Sequence, residues 1–248
     1  MRFYLGTHMP HWLATAGVPL FVSRRRLEDR RRMPKACASW ALDSGGFTEL
    51  EKFGGWQMTA DAYADLVLSI AERVGRMDWA APQDWMCEPH MLRRTGLSVD
   101  EHQGRTVENF VALRERLGHL VIPVLQGWSL ADYERCWDRY EGAGVNLGNE
   151  PTVGLGSVCR RQATSQIGRI VEAMHDRGAS LHGFGVKSAG VRAYGHLLRS
   201  ADSMAWSFAG RLRGPCPKGC ANHLHYAVEW RERLIEERPV QMQWSMTV

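Results

Sequence analysis

Several residues in this chain have types and spacings that could do chemistry. Asp43-Ser44-Gly45-Gly46-Phe47 places a carboxylate at the end of an apolar run and then two glycines. Without a Cβ, a Gly-Gly turn lets a ligand or another backbone come close. Asp84 follows a second apolar run, and Asp202 lies beside a late one. Paired carboxylates recur where a bond to the anomeric carbon of a sugar is broken: one attacks or stabilises positive charge, the other handles protons.

Cys216-x3-Cys220-x2-His223, in a loop that also holds Pro215, Pro217 and Gly219, has the spacing of a metal knuckle. Three ligands are clear. His225 stands very close to His223, and Cys159 or a distant histidine are further candidates for the fourth place. With no open coordination position indicated, the expected ion is a structural rather than a catalytic Zn2+. Cys37, Cys87 and Cys136 read more simply as thiols; Cys136 shares a helical face with Tyr133, Trp137 and Tyr140.

The elements that must position these residues alternate. Candidate strands are Phe3–Gly6, Leu20–Ser23, Trp40–Asp43, Trp79–Pro82, Val121–Gln126, Thr152–Gly156, Leu181–Val186 and Ser203–Ser207. Amphipathic helices fall between several of them. Thr59 to Gly75 has a threonine cap and a glycine stop, and Ser98 to Gly118 opens with the capping box Ser98/Glu101. Further helices are expected at Ser129–Glu141, Thr164–Arg177, Gly190–Arg199 and Asn222–Glu237. Eight strand-helix units in 248 residues predict an α/β chain folded as a (β/α)8 TIM-type barrel, with a zinc-binding loop near the C-terminus. No repeat, low-complexity segment or linker divides residues 1–248, so one domain is expected.

Chemistry in such a barrel collects where strands end. The strand ends carry Asp43 to Phe47, Asp84, Gln126-Gly127, Gly154-Leu155, Gly185 with Lys187, and Asp202. That is the composition of a small-molecule site with close backbone approach.

Charge adds a partner class. The net charge is +4, but residues 1 to 35 hold eight Lys/Arg, Arg24 to Arg26 and Arg30 to Arg32 among them, against Glu28 and Asp29. Arg211, Arg213 and Lys218 lie in a stretch from 203 to 223 that has no acid. Two basic patches suit a polyanion. No apolar run approaches the roughly 18 residues of a membrane span. The N-terminus lacks the apolar stretch of a secretory signal, so a cytoplasmic location and no membrane partner are expected.

The order Asp43-Ser44-Gly45-Gly46-Phe47, Asp84 with Cys87, Gln126-Gly127, Gly154-Leu155, then Asp202 before a Cys/His cluster resembles the tRNA-guanine transglycosylase superfamily. The resemblance runs from about residue 38 to 230. Val153 to Cys159, Leu181 to Lys187 and Asp202 to Ser207 look closer to the compact, phage- and island-encoded branch that inserts 7-deazaguanine derivatives into DNA.

The resemblance implies a zinc-containing barrel that exchanges guanine for a preformed 7-deazapurine such as preQ0, through a covalent aspartyl-nucleic acid intermediate. It makes Asp202 the nucleophile and Asp43 the proton-handling residue or alternative nucleophile. Asp84 and Gln126-Gly127 would read the base, which Gly154-Leu155 approaches through backbone. The chain departs from the tRNA enzymes after Asp202, where Trp206-Ser207-Phe208 replaces Pro-Thr-Arg, and at Arg199, where those enzymes carry an aspartate. Expected partners are double-stranded DNA, held by Arg24, Arg25, Arg26, Arg211, Arg213 and Lys218, and the free base. A homodimer or a protein partner is also open. Alternatives are a minimal tRNA-guanine transglycosylase and a non-catalytic, nucleic-acid-binding partner subunit.

Overall fold

The computed structural model describes residues 1–158, 161, 165–217 and 219–236. Cys159, Lys218 and both the start at Thr164 and the end at Glu237 of expected helices lie outside them. Eight strands, β1 (Arg2–Thr7), β2 (Leu20–Ser23), β3 (Trp40–Asp43), β4 (Met77–Ala80), β5 (Val124–Leu125), β6 (Val153–Leu155), β7 (Leu181–Gly183) and β8 (Ser200–Ser203), form one parallel sheet in the order 4-3-2-1-8-7-6-5. A single parallel bridge, Ala80 to Val121, joins the two edges of this curled sheet. The fold is an α/β, TIM-like barrel, as the alternation predicts.

Nine α-helices are described: α1 (Gly46–Phe53), α2 (Ala60–Val74), α3 (Pro89–Thr95), α4 (Val99–Leu117), α5 (Leu130–Gly142), α6 (Ser165–Asp176), α7 (Ser188–Tyr194), α8 (Ala205–Arg213) and α9 (Leu224–Glu236). Thr59 caps α2, and Ser98 with Glu101 closes the capping box of α4 in both directions. Strand alternation sorts the side chains. Phe3, Leu5, Val22, Trp40, Leu42, Leu155 and Leu181 face outward into the core beneath the helices. Tyr4, Phe21, Ala41, Trp79, Ala81 and Ile122 face inward and cluster with Phe184.

Several expectations shift, among them the fourth strand, which is Met77–Ala80 rather than Trp79–Pro82. The last strand is Ser200–Ser203 rather than Ser203–Ser207, because Met204 to Phe208 follows a four-residue rather than a two-residue period and opens α8. Asp202 therefore sits within the strand, in register with Tyr4. The fifth strand is laddered only at Val124–Leu125, after Pro123, which has no N–H to donate. Finally, α1 and α3 grow out of loops in which no helix was expected, and the helix expected over Gly190–Arg199 ends at Tyr194.

Candidate active site

The turn after β3 is fixed from behind. Gly45 takes φ +75°, a left-handed conformation that an L side chain rarely adopts, and its N–H donates to Asp43 Oδ1 at 3.1 Å. Arg24 lies beneath, its side chain only 3% exposed. Its Nε donates to the Ser44 carbonyl at 2.7 Å, and its guanidinium pairs with Glu49 at 2.5 Å and with Glu28. Arg25 joins the same Glu49 carboxylate at 2.6 Å. Arg24 is thus consumed in holding the Asp43-Ser44-Gly45-Gly46 turn and is not presented to a phosphate. Phe47 packs with Leu50, Trp85 and Met91.

Asp84 is the centre of a hydrogen-bonded chain that crosses the ends of β3, β4, β5 and β6. Gln126 Nε2 donates to its Oδ2 at 2.6 Å, and Ser44 Oγ lies 3.5 Å from Oδ1. Ser157 Oγ reaches Gln126 Oε1 at 2.7 Å and Glu88 Oε2 at 2.9 Å, and accepts the Cys87 N–H. Ser157 is a non-glycine residue at φ +55°, the kind of strained backbone that persists where its surroundings demand it. The loop holding Asp84 is pinned as well: Gln83 donates to the Met58 carbonyl, Asn109 to the Gln83 carbonyl, and Trp85 N–H to Thr106. Burial pushes the Asp84 carboxyl up to about 7; the Gln126 bond opposes the rise and the charge of Asp43 adds to it. Asp43 is raised too, chiefly by burial, with Gly45 and Ser23 opposing and Asp202 adding.

Asp202 projects from β8 into the barrel. Its Oδ1 accepts the Gly185 N–H at 2.9 Å, and the fully buried His182 brings Nε2 to 3.4 Å from that same oxygen. The other histidine nitrogen is 2.9 Å from Ser200 Oγ. Both contacts fall on Oδ1. Below lies a layer of rings: His182 is 4.7 Å from Trp79 and 4.8 Å from Phe184, and Tyr4 and Phe21 complete the set.

The glycines play parts other than those expected. A Cβ on Gly154 would meet the Phe184 ring at 2.5 Å, and one on Gly156 would meet the Gln126 amide at 2.3 Å. These positions make room for protein groups that line the mouth. Gly127 lies against Asp132 and Tyr133 of α5, and Leu155 faces the outer core. Lys187 is exposed at the start of α7. His182 and Glu88 were not foreseen as site residues. The inward phase of Leu181-His182-Gly183 is the one signal that could have indicated His182.

Beyond β8, Cys216, Cys220, His223 and His225 bring one potential ligand atom each within 4.8 Å of one another. The close spacing of the two histidines does not separate them, because their rings tilt by 33° at 5.5 Å. Two thiols and two imidazoles are a tetrahedral zinc donor set, so the residues fit such an ion. Of the other basic candidates, Arg26, Arg211 and Arg213 are exposed and Arg25 is half-buried.

Arg24→Ala should lower the unfolding free energy by about 3–5 kcal/mol, since it leaves Glu28 unpaired, leaves the buried Glu49 to Arg25 alone and frees the Ser44 carbonyl. Arg26→Ala should stay within about 0.5 kcal/mol of the parent. Denaturant titration of both would decide, and equal small effects would overturn the role given to Arg24. The purified chain should carry one zinc by elemental analysis, and Cys220→Ser should lose it and melt several degrees lower. A metal-free parent chain that melts like the variant would exclude the site.

No curated protein matches the sequence. Among solved structures, a candidate isomerase from Sinorhizobium meliloti is 10% identical with a TM-score of 0.42, over 82% of this chain and 50% of that one. The chain thus spans half the length of that structure. A mandelate oxidase variant is 14% identical with a TM-score of 0.46, over 93% of this chain and 69% of that one. The model of one family, DpdA, "DeoxyPurine in DNA protein A", matches residues 1–248. The chain belongs to this family, within the tRNA-guanine transglycosylase superfamily.

Proposed function

We propose that residues 1–248 act as one DNA-modifying enzyme unit that exchanges guanine in duplex DNA for a free 7-deazaguanine base. The observation carrying this reading is the convergence of Asp43, Asp84 and Asp202 on one mouth, two of them with raised pKa. Family membership supports DNA as the substrate.

The target guanine leaves the stack, because C1′ cannot be approached in line while the base is paired. Asp202 Oδ1 is held by Gly185 and lies near His182, which leaves Oδ2 to attack C1′. The C1′–N9 bond breaks as the C1′–Oδ2 bond forms. The departing guanine takes a proton from Asp43, whose burial favours the protonated form. The incoming base then returns a proton to Asp43, its N9 attacks C1′, and Asp202 is released. Asp84 and Gln126 face the donor-rich Watson–Crick edge of either purine, so the same pocket holds the leaving and the entering base. Zinc bound at Cys216, Cys220, His223 and His225 would tie the segment after α8 to α9 and supply folding energy there.

Label from 7-cyano-7-deazaguanine should enter DNA and not tRNA. Asp202→Asn should lower that rate by at least about 10³-fold. Incorporation into tRNA alone would move the substrate, and none into either would favour a binding subunit. A carboxylate accepts N1–H and N2–H donors together, whereas the protonated acid accepts less. Affinity for the free base should therefore rise as pH passes through about 7, and Asp84→Asn should flatten that profile. A parent profile that is flat from about pH 6 to 8 would remove Asp84 from base reading.

A further inference from the structure

The outer position beside β1 is filled by α9, whose Trp230 ring lies 6.1 Å from Phe3 and whose Arg231 donates to the Phe3 carbonyl. α8 belongs to an excursion from the carboxyl end of β8. It is held over the end of β1 by Trp206, which donates to the Gly6 carbonyl at 2.7 Å.

Its other side is bare. Met204, Phe208 and Leu212 recur every fourth residue and are 48%, 66% and 65% exposed. They are three of the five large apolar side chains exposed among the described residues, so the apolar surface is concentrated here. The stripe begins two residues after Asp202. Arg211 and Arg213 flank Leu212, and residues 203 to 223 contain no acid.

We propose that this face of α8 is a docking surface for duplex DNA, a reading that rests on the function proposed above. Arg211 and Arg213 meet phosphates. The Met204-Phe208-Leu212 stripe lies against the base steps beside the nucleotide offered to Asp202, and Phe208 takes up stacking that the extruded base gives up. Apolar side chains wedged between base steps are an established way of holding a duplex open. Charge selects this occupant over a second copy of the chain. A two-fold contact through the stripe would set each pair of arginines against its own copy, with no acid among residues 203 to 223 to offset them.

The test is anisotropy of the full chain with a labelled, mixed-sequence duplex across a salt series. Phe208→Ala/Leu212→Ala changes no charge. It should weaken binding by at least about fivefold at every salt concentration and leave the salt slope unchanged. Arg211→Ala/Arg213→Ala should instead reduce that slope by about one to two. In a second measurement, Phe208→p-benzoylphenylalanine should crosslink to bases on irradiation, and sedimentation should give the parent and the neutral variant the same mass.

Parent-like binding by the neutral variant, crosslinks confined to a second protein chain, or a change of sedimenting mass would each overturn the proposal. If the parent exchanges bases in DNA while the variant binds as the parent does, this inference fails and the function stands. If the parent modifies only tRNA and ignores the duplex, the function fails and takes the inference with it.

Discussion

Rings rather than water fill the barrel below the three carboxylates, and that desolvation shapes everything above it. Tyr4, Phe21, Trp79, His182 and Phe184 leave the acids with no bulk solvent on their inner side. Ionised groups in such a place must be neutralised by protons or compensated by donors. The chain uses both means. Asp43 and Asp84 have raised proton affinity, and each acid receives at least one donor in a fixed position: Gly45 N–H, the Gln126 amide or Gly185 N–H. No lysine or arginine is placed against any of them by a hydrogen bond or ion pair among the described residues.

The buried arginine of the Arg24 to Arg26 run lies behind the mouth. Arg24 faces Glu28 and Glu49 from the far side of the turn, where it fixes the Ser44 carbonyl and lowers the charge penalty of Asp43 only at a distance. The result is a mouth whose donors are neutral and rigid. Such donors stabilise charge without reorganising when it shifts from one atom to another, which suits the acid/base role proposed for Asp43.

Much of this was legible in the sequence. Leu20–Ser23 and Trp40–Asp43 appear as strands at the bounds expected of them, and the caps at Thr59 and Ser98 work as composition suggests. Local signals of this kind depend on residues three or four apart. The burial of Arg24 does not: in a run of three arginines only the structure reveals which one turns inward toward Glu49, 25 positions later. Likewise His182 gains its meaning from Asp202, and Ser157 from Glu88 and Cys87, partners far apart in the chain. The glycines at 154 and 156 were readable as sites of close approach, but what approaches is Phe184 and Gln126.

The closure of the barrel has a consequence of its own. Seven strand pairs are laddered, whereas β4 and the segment entering β5 meet only at Ala80 and Val121. Directly above that thin seam, Asp84 and Gln126 clasp one another. A base bound as proposed above, in place of that hydrogen bond, would also unfasten the clasp, so occupancy of the pocket and breathing of the wall would become a single event. The enzyme would then be loosest while it is exchanging its cargo and tightest when empty, the reverse of a site that shuts on its ligand.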